Sequence, residues 1–121
     1  MASKIIIGCI AATIGGAVSA QDFPRKYSST EYFKNYALST CIADGYKSDE
    51  VIKDSAAAAR GYLEFGSLPL EAHTEATQLG RKYLQRKYMS ISGESLILMK
   101  CIDFYHSKEL DKLARKYRNK R

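Results

Sequence analysis

The sequence predicts an all-α protein, a compact bundle of about five helices with one disulfide joining the first helix to the fourth. Three observations predict it. Apolar residues recur at helical spacing in five separate stretches; no stretch alternates apolar with polar over a useful length; and Cys41 and Cys101 each fall on the inward stripe of a helix. The 121 residues allow one domain.

The first helix is expected from Ser29 or Thr30, either of which can cap it, to about Asp44, with Gly45 as its stop. Its stripe is Phe33, Ala37, Leu38, Cys41 and Ile42. The second starts at Ser48 and places Asp49 and Glu50 in the first turn, where the helix dipole favours them. Val51, Ile52, Ser55, Ala58, Ala59, Tyr62 and Leu63 make its stripe, and it ends at Gly66. Pro69 suits the first turn of a third helix, since its missing N–H has no intrahelical role there. That helix carries Ala72, Ala76, Leu79, Gly80, Tyr83 and Leu84 and fades near Tyr88. A polar connector follows, and then a fourth helix from Glu94 to about His106. The fourth is apolar on nearly all sides and so is expected at the centre of the bundle. Ser107 caps a short fifth helix bearing Leu110, Leu113, Ala114 and Tyr117.

Residues 1–20 read as a secretory signal peptide rather than as part of the domain. Lys4 gives a basic start, the run from Ile5 to Val18 is uncharged, and Ser19 and Ala20 place small side chains before a cut at Ala20/Gln21. A membrane anchor is the rival, at the short edge for a span. A lipid-attachment reading of Cys9 leaves too short an apolar core before the cut. Residues 21–121 then form a single helical domain that holds two cysteines, Cys41 and Cys101. In an oxidising compartment such a pair forms a disulfide, two separate buried thiols being the alternative.

Losing Lys4 takes the count from 19 to 18 Lys+Arg against 13 Asp+Glu, a net of +5. Much of that excess lies in Arg115, Lys116, Arg118, Lys120 and Arg121, read here as a solvated tail favourable to the helix dipole. No nucleic-acid motif accompanies it.

Catalytic chemistry finds little to work with. Cys101 and His106 are five residues apart, which points them about 140° apart on a helix, and both cysteines have a better use in a disulfide. His73 and His106 offer no metal-ligand spacing, and HExxH, CxxC and P-loop patterns are missing. Asp103 and His106 can touch on one helix face and order its end. No catalytic residue, metal or cofactor is expected. Nine tyrosines without a tryptophan supply amphipathic groups for an interface, and Tyr32, Tyr36, Tyr46, Tyr83 and Tyr88 cannot all be buried in so small a bundle.

Three words of the sequence go further: Asn35-Tyr36-Ala37-Leu38-Ser39-Thr40-Cys41-Ile42-Ala43, Ala58-Ala59-Arg60-Gly61-Tyr62-Leu63-Glu64, and Lys100-Cys101-Ile102-Asp103-Phe104-Tyr105-His106-Ser107. Together they resemble the type VI secretion amidase immunity proteins that partner the fourth class of amidase effectors, over roughly residues 32–117. The resemblance implies a periplasmic protein that neutralises a papain-like cysteine amidase cutting the D-glutamyl–diaminopimelate bond of peptidoglycan. It implies a helical homodimer in a two-plus-two assembly, with a projecting loop that blocks the amidase cleft. For that loop the connector Met89, Ser90, Ile91, Ser92, Gly93, Glu94 and Ser95 is the first choice. The turn around Glu64, Phe65, Ser67, Leu68 and Glu71 is the second. The exposed Tyr and Ala faces of the second and third helices are candidates for the homodimer contact. A periplasmic acid-stress chaperone, also small, helical and two-cysteine, is the competing class.

Overall fold

Three serines start three of the helices. Ser28 Oγ accepts from the backbone N–H of Glu31 at 3.2 Å, while the Glu31 carboxylate accepts from the Ser28 N–H at 3.0 Å, closing a reciprocal capping box. Ser48 Oγ accepts from Val51 N–H at 3.4 Å and Ser107 Oγ from Leu110 N–H at 3.1 Å. The five helices are α1 Ser29–Gly45, α2 Asp49–Phe65, α3 Leu70–Leu84, α4 Ile97–Tyr105 and α5 Lys108–Arg118. The computed structural model describes residues 25–120, and no strand occurs among them. The signal peptide and its cut lie outside the described residues. No described helix is long and apolar enough to cross a membrane.

Helix number and order match the pattern in the sequence, but several ends differ. The cap of α1 is Ser28, one residue before the expected candidates, because Glu31 stands three residues on and reaches back. Gly45 is the last helical residue rather than the stop; the chain turns extended at Tyr46. The third helix stops at Leu84 instead of near Tyr88, and the fourth begins at Ile97 instead of Glu94. Residues 85–96 are therefore one continuous connector.

The centre of the bundle is α1, not α4. Helix α1 packs against all four of the others, and α3 joins it to α4 and α5. Phe33, Ala37 and Cys41 from α1 meet Ala72 and Ala76 from α3, Cys101 and Phe104 from α4, and Leu110, Ala114 and Tyr117 from α5. Gly80 lets α3 and α4 approach: a Cβ there would stand 3.0 Å from the Phe104 ring. Helix α4 buries only one stripe, Lys100, Cys101 and Phe104, and leaves Leu98, Met99 and Ile102 about half exposed. The expectation of burial on all sides fails because α4 is nine residues long and closes one edge of the bundle, with no further described element to cover its outer face.

Cys41 and Cys101 are bonded, with Cα atoms 5.7 Å apart and 60 positions between them in sequence, so α1 is stapled to α4 as expected. Both sulfurs lie in the core. A loop of this length gives a chain-entropy stabilisation of about 4 kcal/mol, a large share of the 5–15 kcal/mol typical of a domain.

His73 sits in an aromatic slot between Phe33 and Tyr36, with ring centroids at 5.3 and 4.7 Å. Nδ1 donates to the Pro69 carbonyl at 3.0 Å, and the buried Nε2 has no partner. Burial holds its pKa below the ordinary 6.5, the bond to Pro69 opposing only in part.

Two outcomes follow from this core. Cys101→Ala, or reduction under denaturant, should lower unfolding stability by about 2–5 kcal/mol in urea titrations while leaving helical circular dichroism in place. His73 is neutral when folded and protonates more readily when unfolded, so its contribution is complete above about pH 6.5 and declines as pH falls through that value. The slope is at most about 1.4 kcal/mol per pH unit from this group, and His73→Phe should flatten the profile of melting temperature against pH between about pH 7 and pH 5.

Candidate interaction surface

The connector of residues 85–96 is tied at its root and open at its tip. At the root, the buried Lys100 ammonium donates to the Leu84 carbonyl at 3.3 Å, occupying one of the orphan acceptors at the end of α3. Tyr88 donates its hydroxyl to Asp103 at 2.5 Å, and that bond raises the phenol pKa above its ordinary value. Leu96 leaves the connector in the left-handed region, φ 54°, the one non-glycine residue among those described to do so. A leucine there costs about 1–2 kcal/mol of local strain, so the surrounding packing over-determines the path of the chain.

The tip is a turn. The Gly93 N–H donates to the Ser90 carbonyl at 3.3 Å, with Gly93 at φ 86°, a conformation that favours glycine. The Glu94 carboxylate accepts from the hydroxyls of both Ser92 and Ser90. These bonds, that of Ser92 first, hold the Glu94 pKa below the usual carboxylate value. Met89 and Ile91 are 97% and 110% exposed, so two large apolar side chains stand free on a turn that ties itself together.

The second predicted segment is built differently. Phe65 and Leu70 are exposed, but Leu68 packs on the core and Ser67 shares a hydrogen bond of 2.7 Å with Ser29. Tyr32 lies between Tyr27, Tyr62 and Phe65, with ring centroids 5.6–6.4 Å apart. Glu64 and Glu71 are exposed. This turn is pinned to α1, whereas the connector stands clear. The two segments bracket α3, whose 15 residues span roughly 22 Å at 1.5 Å each, so they occupy opposite ends of the molecule.

The sequence pattern missed a third feature. The exposed stripe Leu98, Met99 and Ile102 borders a groove of about 780 Å³ whose other wall is Gly45, Tyr46 and Lys47. Glu94, Ser95 and Leu96 also line it, so the groove continues from the connector onto α4. The run Leu96-Ile97-Leu98-Met99 signalled burial without telling whether this chain or another molecule provides the cover. Tyr83 is buried, while Tyr32, Tyr36, Tyr46 and Tyr88 are half-buried and rim the core.

Nothing in this surface is arranged for catalysis. Both sulfurs of the described cysteines are in the disulfide. His106 is exposed and set edge-on to Tyr105, and Asp103 is engaged by Tyr88 rather than by His106. Among the described residues no three His, Cys, Asp or Glu side chains converge where a metal could bind.

Residues 31–114 match the model of a family described as Tai4, type VI secretion system amidase immunity protein. In fold, the chain is similar to one in the structure of the Tae4/Tai4 effector–immunity system of Salmonella typhimurium. The two are 41% identical, the match covers 74% of this chain and 89% of that one, and the TM-score is 0.71. A chain from a structure of type VI-secreted toxins and self-resistance proteins of Serratia marcescens is 27% identical, with 81% and 87% covered and a TM-score of 0.67. The Tae4–Tai4 complex of Enterobacter cloacae offers a likeness of fold alone, at 24% identity, with 78% and 98% covered and a TM-score of 0.69. None of the curated proteins compared with the chain matches it.

Tyr88→Phe removes the tie between connector and α4 without exposing a cavity. It should speed amide hydrogen exchange across residues 86–95 several-fold while changing global stability by no more than about 1.5 kcal/mol, the usual net worth of one hydrogen bond.

Proposed function

The chain belongs to the amidase immunity proteins of the type VI secretion system, and from that premise we propose that it blocks the active-site cleft of one secreted peptidoglycan amidase with the 89–95 connector. The amidase is of the papain-like cysteine type and cuts the D-glutamyl–diaminopimelate bond. Inhibition is steric: the inserted turn occupies the space that substrate needs beside the catalytic Cys and His of the toxin, and no chemistry is asked of the inhibitor.

One observation carries this reading. Met89 and Ile91 are fully exposed at the tip of a connector whose root and turn are both held by hydrogen bonds. Apolar tips lose water on entering a cleft, and a turn already ordered by Ser90, Ser92 and Glu94 forfeits little conformational freedom in doing so. The apolar stripe of α4 begins where the connector ends and extends the same contact.

The chain acts in the periplasm, with the leader removed near Ala20/Gln21. The buried Cys41–Cys101 bond supports this, because such bonds form and persist in oxidising compartments. It acts as a homodimer that holds two toxin molecules in a two-plus-two complex. The exposed Ala57 and Ala58 of α2 offer a thin surface on which a second copy can pack closely.

Met89→Asp with Ile91→Asp should raise the concentration needed to suppress the cognate amidase by about thirtyfold or more, the scale of a hot-spot loss of 2 kcal/mol. Phe65→Asp with Leu70→Asp, at the other end of the molecule, should leave inhibition within about threefold. Turnover of purified peptidoglycan fragments measures both, and the opposite ranking of the two pairs would assign the cleft to the 65–70 turn.

A further inference from the structure

The net positive charge of this chain comes from its last fourteen residues. Residues 21–107 carry 11 Lys+Arg against 11 Asp+Glu and are neutral; residues 108–121 carry 7 against 2, which is the whole excess of +5. Helix α5 turns Leu110, Ala114 and Tyr117 into the core. Lys108, Lys112 and Arg115 follow at steps of four and three, so they form a single stripe on the side opposite the buried one. All three are exposed.

The carboxylates that might neutralise this stripe are engaged elsewhere. Glu109 accepts from Tyr83 and pairs with Arg86, and Asp111 pairs with Lys34 at 2.8 Å. Glu75 accepts from Tyr117 and pairs with Lys116. Among the described residues, Lys108, Lys112, Arg115 and Lys120 have no carboxylate partner. The family match ends at residue 114, so Lys108 and Lys112 lie inside it and Arg115 just outside.

We propose that the outer face of α5 docks on an anionic phospholipid surface, with the helix lying along it. A straight stripe of unpaired cations suits a diffuse polyanion that rewards the number of charges rather than a set geometry. Beside the stripe, α3 and α5 enclose a groove of about 490 Å³ lined by Leu79 and Leu113 together with Lys82, Lys112, Lys116, Glu75 and Glu109. Among the described residues no exposed aromatic accompanies the stripe to stack on bases, as single-stranded nucleic acid would require. Docking through Lys108, Lys112 and Arg115 uses no residue of the 89–95 turn or of the exposed α4 stripe, so a membrane-bound copy still presents them.

The test is co-sedimentation of the chain, purified as cells process it, with vesicles of phosphatidylcholine alone or mixed with phosphatidylglycerol. The chain should partition onto the anionic vesicles at about 0.1 M salt, stay free of the neutral ones, and dissociate at about 0.5 M salt as screening shortens. Each cation near such a surface is worth about fivefold in partitioning, so Lys108→Gln, Lys112→Gln and Arg115→Gln together should weaken it about hundredfold. Lys26→Gln, Lys53→Gln and Arg60→Gln remove the same charge from elsewhere and should weaken it no more than a few-fold. Both variants should still inhibit the amidase. Equal losses in the two variants, or no partitioning by the unaltered chain, would overturn the proposal. Loss of amidase inhibition in the α5 variant without vesicle binding would also overturn it and assign the stripe to the toxin contact.

Discussion

Everything in this bundle is hung on α1. It packs against every other described helix, and Cys41 near its C-terminal end fixes α4 to it covalently. Helix α4 is nine residues long, below the length at which a helix is stable in isolation. Its position rests on the disulfide, on Phe104 seated against Gly80, and on Lys100 drawn to the end of α3. Because that short helix carries the root of the connector, the same bond that stabilises the core also positions the candidate toxin-binding turn.

The connector divides into parts with opposite requirements. Its root is over-determined, by Lys100 on Leu84, Tyr88 on Asp103, and a strained Leu96. Its tip offers Met89 and Ile91 to solvent, an arrangement a free monomer gains nothing from. An inhibitor that works by filling a cleft needs both: a rigid base, so that binding energy is not lost to ordering, and apolar tips that gain on leaving water. The outer stripe of α4 has the same character, and the two are contiguous along one groove.

Charge is separated from this surface. The net charge comes from residues 108–121, and the stripe of Lys108, Lys112 and Arg115 shares no residue with the 89–95 turn or the α4 stripe, while residues 21–107 balance to zero. The two proposed contacts, with a toxin cleft and with an anionic surface, therefore draw on different residues.

Helix number, helix order, the serine starts at Ser48 and Ser107 and the Cys41–Cys101 bond were legible in the chain, because each is written in local spacing: apolar residues at helical period, cap residues ahead of them, and an even pair of inward cysteines. That a connector lies around Gly93 was legible from that glycine and the serines beside it; its ends at residues 85 and 96 were not. What only the tertiary structure decided was which apolar residues are covered. Leu98, Met99 and Ile102 carry the same local signal as Phe104, yet one faces Gly80 across a helix seam and the others face outward. Hydrophobicity records that a side chain will be buried by something; the contacts between helices far apart in sequence determine whether that something belongs to the same chain.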